Sequence, residues 1–151
     1  MKAPSYWSAT AFSPNGRSLL SASDDYTVRL WNLRDGSSKR IPAPGTSTSF
    51  CVAFRPVGRY IAGGDTTHCS IWIWDSRSQK LVAQWPAHPS AVWSIEFTPD
   101  GKGLISGGGD GIVKYWDVTS IGSGSHWKSF PVIRRFSGYN VRLFCLLSIT
   151  S

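Results

Sequence analysis

The sequence predicts an all-β chain in which a four-stranded antiparallel unit occurs three times, followed by an irregular C-terminal remnant. Three observations carry this reading. Phe12, Phe54 and Phe97 are spaced by 42 and 43 residues, and Trp31, Trp74 and Trp116 by 43 and 42. Each Phe precedes a Pro-containing turn (Ser13-Pro14-Asn15-Gly16, Arg55-Pro56-Val57-Gly58, Thr98-Pro99-Asp100-Gly101), where Pro presets φ and Gly tolerates φ > 0. Each Trp closes a short apolar run rich in strand-forming residues: Thr27–Asn32, Ser70–Asp75 and Ile112–Asp117.

The elements follow in order. In the first repeat the spacing predicts strands at Tyr6–Phe12, Ser18–Ala22 and Thr27–Asn32, with a short outer strand near Lys39–Ile41. The second repeat predicts Ser49–Phe54, Tyr60–Gly63, Ser70–Asp75 and Lys80–Trp85. The third predicts strands beginning at Val92, at Leu104–Ser106 and at Ile112–Asp117, with Val132–Phe136 as its outer strand. Val92, Ser94 and Glu96 alternate with Trp93, Ile95 and Phe97, a period of two. Residues 120–125 read as a Gly/Ser linker. Arg142–Ile149 reads as the first strand of a degenerate or cut-off fourth repeat, apolar enough to be an aggregation hazard if exposed. The units are therefore 1–42, 43–85 and 86–118, with the third outer strand at 129–136 and a remnant at 119–151.

A period of ~40–45 residues with four strands and a terminal Trp-Asp is the WD40 signature. The chain resembles a run of WD40 β-propeller blades over residues 5–118. Closed propellers have ~4–8 blades, so the expectation is a partial propeller, a fragment of a longer one or a nonfunctional truncated product. Open blade edges would favour self-association.

His88, Ser106 and Asp110 are the residue types of a hydrolase triad, but no GxSxG elbow surrounds Ser106. The resemblance implies another role. WD40 blades carry a His before the first strand, a Ser or Thr on the second, an Asp in the following turn and a Trp on the third, joined by hydrogen bonds. His88, Ser106, Asp110 and Trp116 match all four positions. The first repeat keeps Ser21, Asp25 and Trp31, with Ala3 in place of the His. The second keeps Trp74 alone, with His68 at the Asp position, and is expected to lack polar pinning and to be the softest.

Glycines 107–109 and 111 are no phosphate loop, since no Lys-Ser/Thr follows. His68-Cys69 has no further ligands at metal-binding spacing. Neither catalytic residues, a metal nor a cofactor is expected. The resemblance implies that partner proteins dock on the top face of the propeller. Its positions here are Tyr6, Ser8 and Asp24 in the first repeat, Thr48, Phe50 and Thr67 in the second, and Ala91, Trp93 and Gly109 in the third. The wording of residues 59–76 and 92–117 is similar to the propeller of fungal general transcriptional corepressors of the Tup/Groucho-like group. That similarity implies DNA-binding repressors or complex subunits as partners, and a nuclear site of action.

Composition agrees with an intracellular interaction protein. No apolar stretch approaches the ~18–20 residues of a membrane span, and the N-terminus lacks the apolar core of a signal peptide. Three cysteines, Cys51, Cys69 and Cys145, are too few and too scattered for a disulfide framework. The net charge is +7; Lys128, Arg134, Arg135 and Arg142 fall in residues 119–151, which hold no acid. Nucleic-acid binding through this tail is the alternative reading, although no block of about five or six like charges occurs.

Overall fold

The computed structural model describes residues 7–23, 25–42, 49–122 and 132–137. These form three four-stranded antiparallel sheets. The first contains β1 (Trp7–Phe12), β2 (Ser18–Ser23), β3 (Val28–Asn32) and β4 (Ser38–Ile41), in that order. The second contains β5 (Ser49–Phe54), β6 (Tyr60–Asp65), β7 (Ser70–Asp75) and β8 (Leu81–Pro86). In the third, β9 (Val92–Phe97), β10 (Gly103–Gly108) and β11 (Ile112–Asp117) are completed by β12 (Val132–Ser137), which pairs Arg135 with Lys114. The expected fourth-repeat strand at Arg142–Ile149 lies outside the described residues.

The turn after each first strand forms as its composition requires. Gly16 and Gly101 donate their amides to Ser13 O and Thr98 O at 2.9 and 2.8 Å. Gly16, Gly58 and Gly101 all adopt positive φ, where a β-carbon would be strained. Side chains lock the third of these turns: Thr98 Oγ1 donates to Asp100 Oδ1 at 2.6 Å, and the Lys102 amide donates to the same oxygen at 3.0 Å.

Apolar side chains fill the spaces between sheets. Leu20, Ala22, Val28 and Ile41 of the first sheet meet Val52, Ile61, Trp72 and Trp74 of the second. The opposite face of the second sheet supplies Ala62, Ile71, Ile73 and Trp85 to a layer with Ile95, Phe97, Leu104 and Trp116. The second sheet is covered on both faces, so every residue of β7 is buried. The expected alternation in β9 is interrupted: Val92, Ser94, Ile95 and Phe97 are buried while Trp93 and Glu96 are exposed, and the register against β10 shifts at Trp93.

Candidate functional site

Within each sheet, the turn joining the second strand to the third lies at the end where the first strand begins; this end is termed upper. From the upper end of the third sheet downward, four side chains form a chain of hydrogen bonds. Trp116 Nε1–H donates to Ser106 Oγ at 2.8 Å, and Ser106 Oγ lies 2.8 Å from His88 Nε2. His88 Nδ1 lies 3.0 and 3.1 Å from the two oxygens of Asp110, which also accepts the Ile112 amide. The proton order follows from these partners: indole to hydroxyl, hydroxyl to Nε2, and Nδ1–H to carboxylate. Burial lowers the His88 pKa despite the counter-pull of Asp110, with Lys114 adding to the lowering. Burial of Asp110 acts to raise its pKa, but the bonds from His88 and the Ile112 amide outweigh that and hold it low. Ser106 is wholly buried and its oxygen already accepts the indole proton, so the hydroxyl has no face open to a substrate.

Two further features support this cluster. A β-carbon at Gly108 would collide with the His88 ring and the Asp110 carboxylate, so glycine is what lets them meet. Lys114 Nζ donates to Ala87 O at 2.5 Å and lies 5.6 Å from the Trp116 ring centroid, tying β11 to the segment before His88. Nothing in the spacing of the repeats points to Lys114.

The other two sheets differ. In the first, Trp31 Nε1–H donates to Ser21 Oγ at 2.8 Å, while Asp25 accepts the Thr27 amide and hydroxyl at 3.0 and 2.6 Å. Burial opposes the ionised Asp25, but the bonds from Thr27 and Ser23 prevail and its pKa is lowered. In the second, Trp74 does not join a Ser–His–Asp chain. Its Nε1–H donates to Pro42 O at 2.9 Å, because Gly63 replaces the serine and a β-carbon there would lie 2.8 Å from the indole ring. The second unit is also pinned, contrary to the sequence expectation. Asp65, fully buried at the end of β6, accepts the His68 and Cys69 amides at 2.5 and 3.1 Å. The longer turn moves the carboxylate away from the offset measured back from Trp74; the legible sign was an Asp directly after Gly63-Gly64.

The described top-face positions gather at this upper end. The Gly109 amide donates to Ala91 O at 2.8 Å, and Trp93 Nε1 would stand 2.8 Å from a β-carbon on Gly109. Trp93 is 53% exposed, and Thr67 lies exposed in the matching turn of the second sheet. The first and second strands of each sheet change register at the same place: between Trp7 and Ala9, between Ser49 and Cys51, and where Ser94↔Gly107 gives way to Val92↔Gly108. The residues at those irregularities are Ser8, Phe50 and Trp93. A bulge there re-aims one side chain out of the pleat. Tyr6, Asp24 and Thr48 lie outside the described residues, and the side chains of Ser8 and Phe50 are likewise not described.

Arg134 and Arg135 stand on β12 opposite Tyr115 and Lys114, whereas Lys128 and Arg142 lie outside the described residues. Among the described residues no cluster of His, Cys, Asp or Glu could hold a metal ion. No helix of the described residues is long and apolar enough to cross a membrane.

Stacked four-stranded sheets, two of which carry an indole–hydroxyl bond between their third and second strands, define a run of β-propeller blades. The family model for the WD domain, G-beta repeat, matches residues 5–32 and 79–117, so these two stretches carry the WD40 repeat pattern. It is 34% identical over 113 residues to the WD repeat-containing protein 3 homolog of Dictyostelium discoideum, covering 75% of this chain and 12% of that protein. It is 28% identical over 115 residues to the target of rapamycin complex subunit LST8-1 of Arabidopsis thaliana, covering 76% of this chain and 38% of that protein. The crystal structure of RRP9 WD40 repeats superposes with a TM-score of 0.76 over 91% of this chain and 40% of that one, at 22% identity, a likeness of fold.

Proposed function

We propose that this chain is a non-catalytic protein-interaction scaffold whose partners dock at the upper end of its sheets. The observation that carries this is Trp93: a large indole, 53% exposed, sits at a register shift on a rigid strand beside Ala91 and Gly109. Trp is among the residue types enriched at interface hot spots, and a pre-formed site lowers the entropy lost on binding. The hydrogen-bonded cluster of His88, Ser106, Asp110 and Trp116 acts as the support of this site. A relative that is itself a complex subunit is consistent with such a role.

The test compares proteins recovered on the intact chain and on Trp93→Ala by quantitative affinity purification. Specific partners are expected to fall about tenfold with Trp93→Ala while the melting temperature stays unchanged. Full retention of those partners would overturn the reading. A finer form of the proposal is that the partners include DNA-binding repressors and that the chain works in the nucleus. It rests on the corepressor-like wording of residues 59–76 and 92–117. Chromatin enrichment of a tagged chain, lost in Trp93→Ala, tests it; a tag confined to the cytoplasm would reject it.

A further inference from the structure

At the lower end of the first two sheets, three turns enclose a groove of about 900 Å³. Arg17 enters from the β1–β2 turn, Arg34 and Lys39 from the β3–β4 segment and Arg77 from the β7–β8 turn, and among the described residues no carboxylate lines the groove. All four cations are exposed, and among the described residues none of them forms an ion pair. The two nearest acids in sequence are occupied. Asp35 accepts from Asn32 and Ser37, and Asp75 pairs with Arg59 at 2.6 Å while accepting the Arg77 and Ser78 amides.

The walls are rigid in one repeated way. The amides of Arg17, Arg34 and Arg77 each donate to the side-chain oxygen two residues earlier, at Asn15, Asn32 and Asp75, over 3.1, 2.9 and 2.9 Å. A further bond from the Leu33 amide to Arg17 O at 3.0 Å joins two of the turns. The floor is apolar, made by half-buried Leu30 and Trp31. The groove thus offers forked guanidinium donors on pre-set backbones around a small apolar floor.

We infer that this groove binds an acidic, extended segment of a partner protein, with its carboxylates on Arg17, Arg34 and Arg77. Guanidinium–carboxylate pairing is bidentate and charge-assisted, and the apolar floor suits an aliphatic side chain between the acids. Single-stranded nucleic acid is disfavoured because it needs open aromatic faces for its bases. Among the described residues the only ring lining the groove is Trp31, half-buried with its Nε1–H on Ser21. This surface lies at the opposite end of the sheets from Trp93 and stands independently of the docking site proposed there.

The experiment is fluorescence anisotropy of the full chain with a labelled peptide of alternating Glu and Gly, at about 50 mM salt, where exposed charges are weakly screened. Saturable binding is expected, with none to the Gln–Gly counterpart. Arg34→Gln with Arg77→Gln should weaken binding about tenfold. Lys80→Gln with Lys102→Gln, which removes two exposed cations outside the groove, should change it less than about twofold, and Trp93→Ala should leave it intact. Circular dichroism of each variant checks that it is folded. Equal losses in the two double variants, absence of binding, or tighter binding of oligouridylate than of the Glu peptide would each overturn the inference.

Discussion

The Trp116 indole is engaged on all sides: its N–H goes to Ser106, and its ring meets Trp85 at 5.7 Å and the Lys114 ammonium at 5.6 Å. Truncating it opens a cavity and removes a donor from the chain of bonds that ends at Asp110. Trp116→Ala is expected to cost ~3–5 kcal/mol of unfolding free energy in urea titration, and a loss below about 1 kcal/mol would contradict this account. At Trp74 the residue type is the same and the outcome differs. The indole turns its N–H to Pro42 because Gly63 leaves room for the ring where Ser21 and Ser106 supply a hydroxyl. Trp74 was therefore legible as a core residue, while its partner was not: a backbone carbonyl gives no signal in the sequence.

At the scale of the element, the four-residue chain makes the third sheet sensitive to pH. Burial holds the His88 pKa below the ordinary value of ~6.5, so the folded sheet keeps a neutral imidazole where the unfolded chain takes up a proton. A depressed folded-state pKa contributes stability above the unfolded value and loses it as pH falls through the folded one. Stability is thus expected to begin falling as pH drops through the ordinary histidine value of ~6.5, with a slope no steeper than about 1.4 kcal/mol per pH unit for one proton. His88→Gln should flatten that drop in denaturant titrations repeated across the range; parallel slopes for both proteins would rule His88 out as its source. The strands and turns themselves were largely visible beforehand, since β5, β7, β9 and β11 begin and end where apolar runs meet turn residues. The extension of β6 to Asp65 and β10 to Gly108 was not. Glycines read as turn in a local scan, yet here they pair in a ladder because tightly packed neighbours exclude a β-carbon.

At the scale of the whole molecule, equivalent positions differ by what stacks on them. Phe12, Phe54 and Phe97 occupy one repeat position, but Phe12 is 68% exposed, Phe54 is half-buried against the first interlayer and Phe97 is 3% exposed within the second. Phe97→Ala should therefore cost ~3–5 kcal/mol and Phe12→Ala less than about 1 kcal/mol, with Phe54→Ala between them. Equal values for Phe12→Ala and Phe97→Ala in the same denaturation assay would contradict the stacking described.

By itself the sequence determined the repeat, the third-strand indoles and the turn chemistry, because these follow from spacing and local backbone preference, while the residues of the His88–Trp116 cluster were legible through the resemblance to WD40 blades. Tertiary structure alone decided which faces are covered, that Asp65 pins the second turn, that the register shifts at Trp93, and that Arg17, Arg34 and Arg77 line one groove. The physical reason is that local propensity acts over a few residues. Burial, register and charge clustering are set by neighbouring sheets whose residues lie some forty positions apart in the chain.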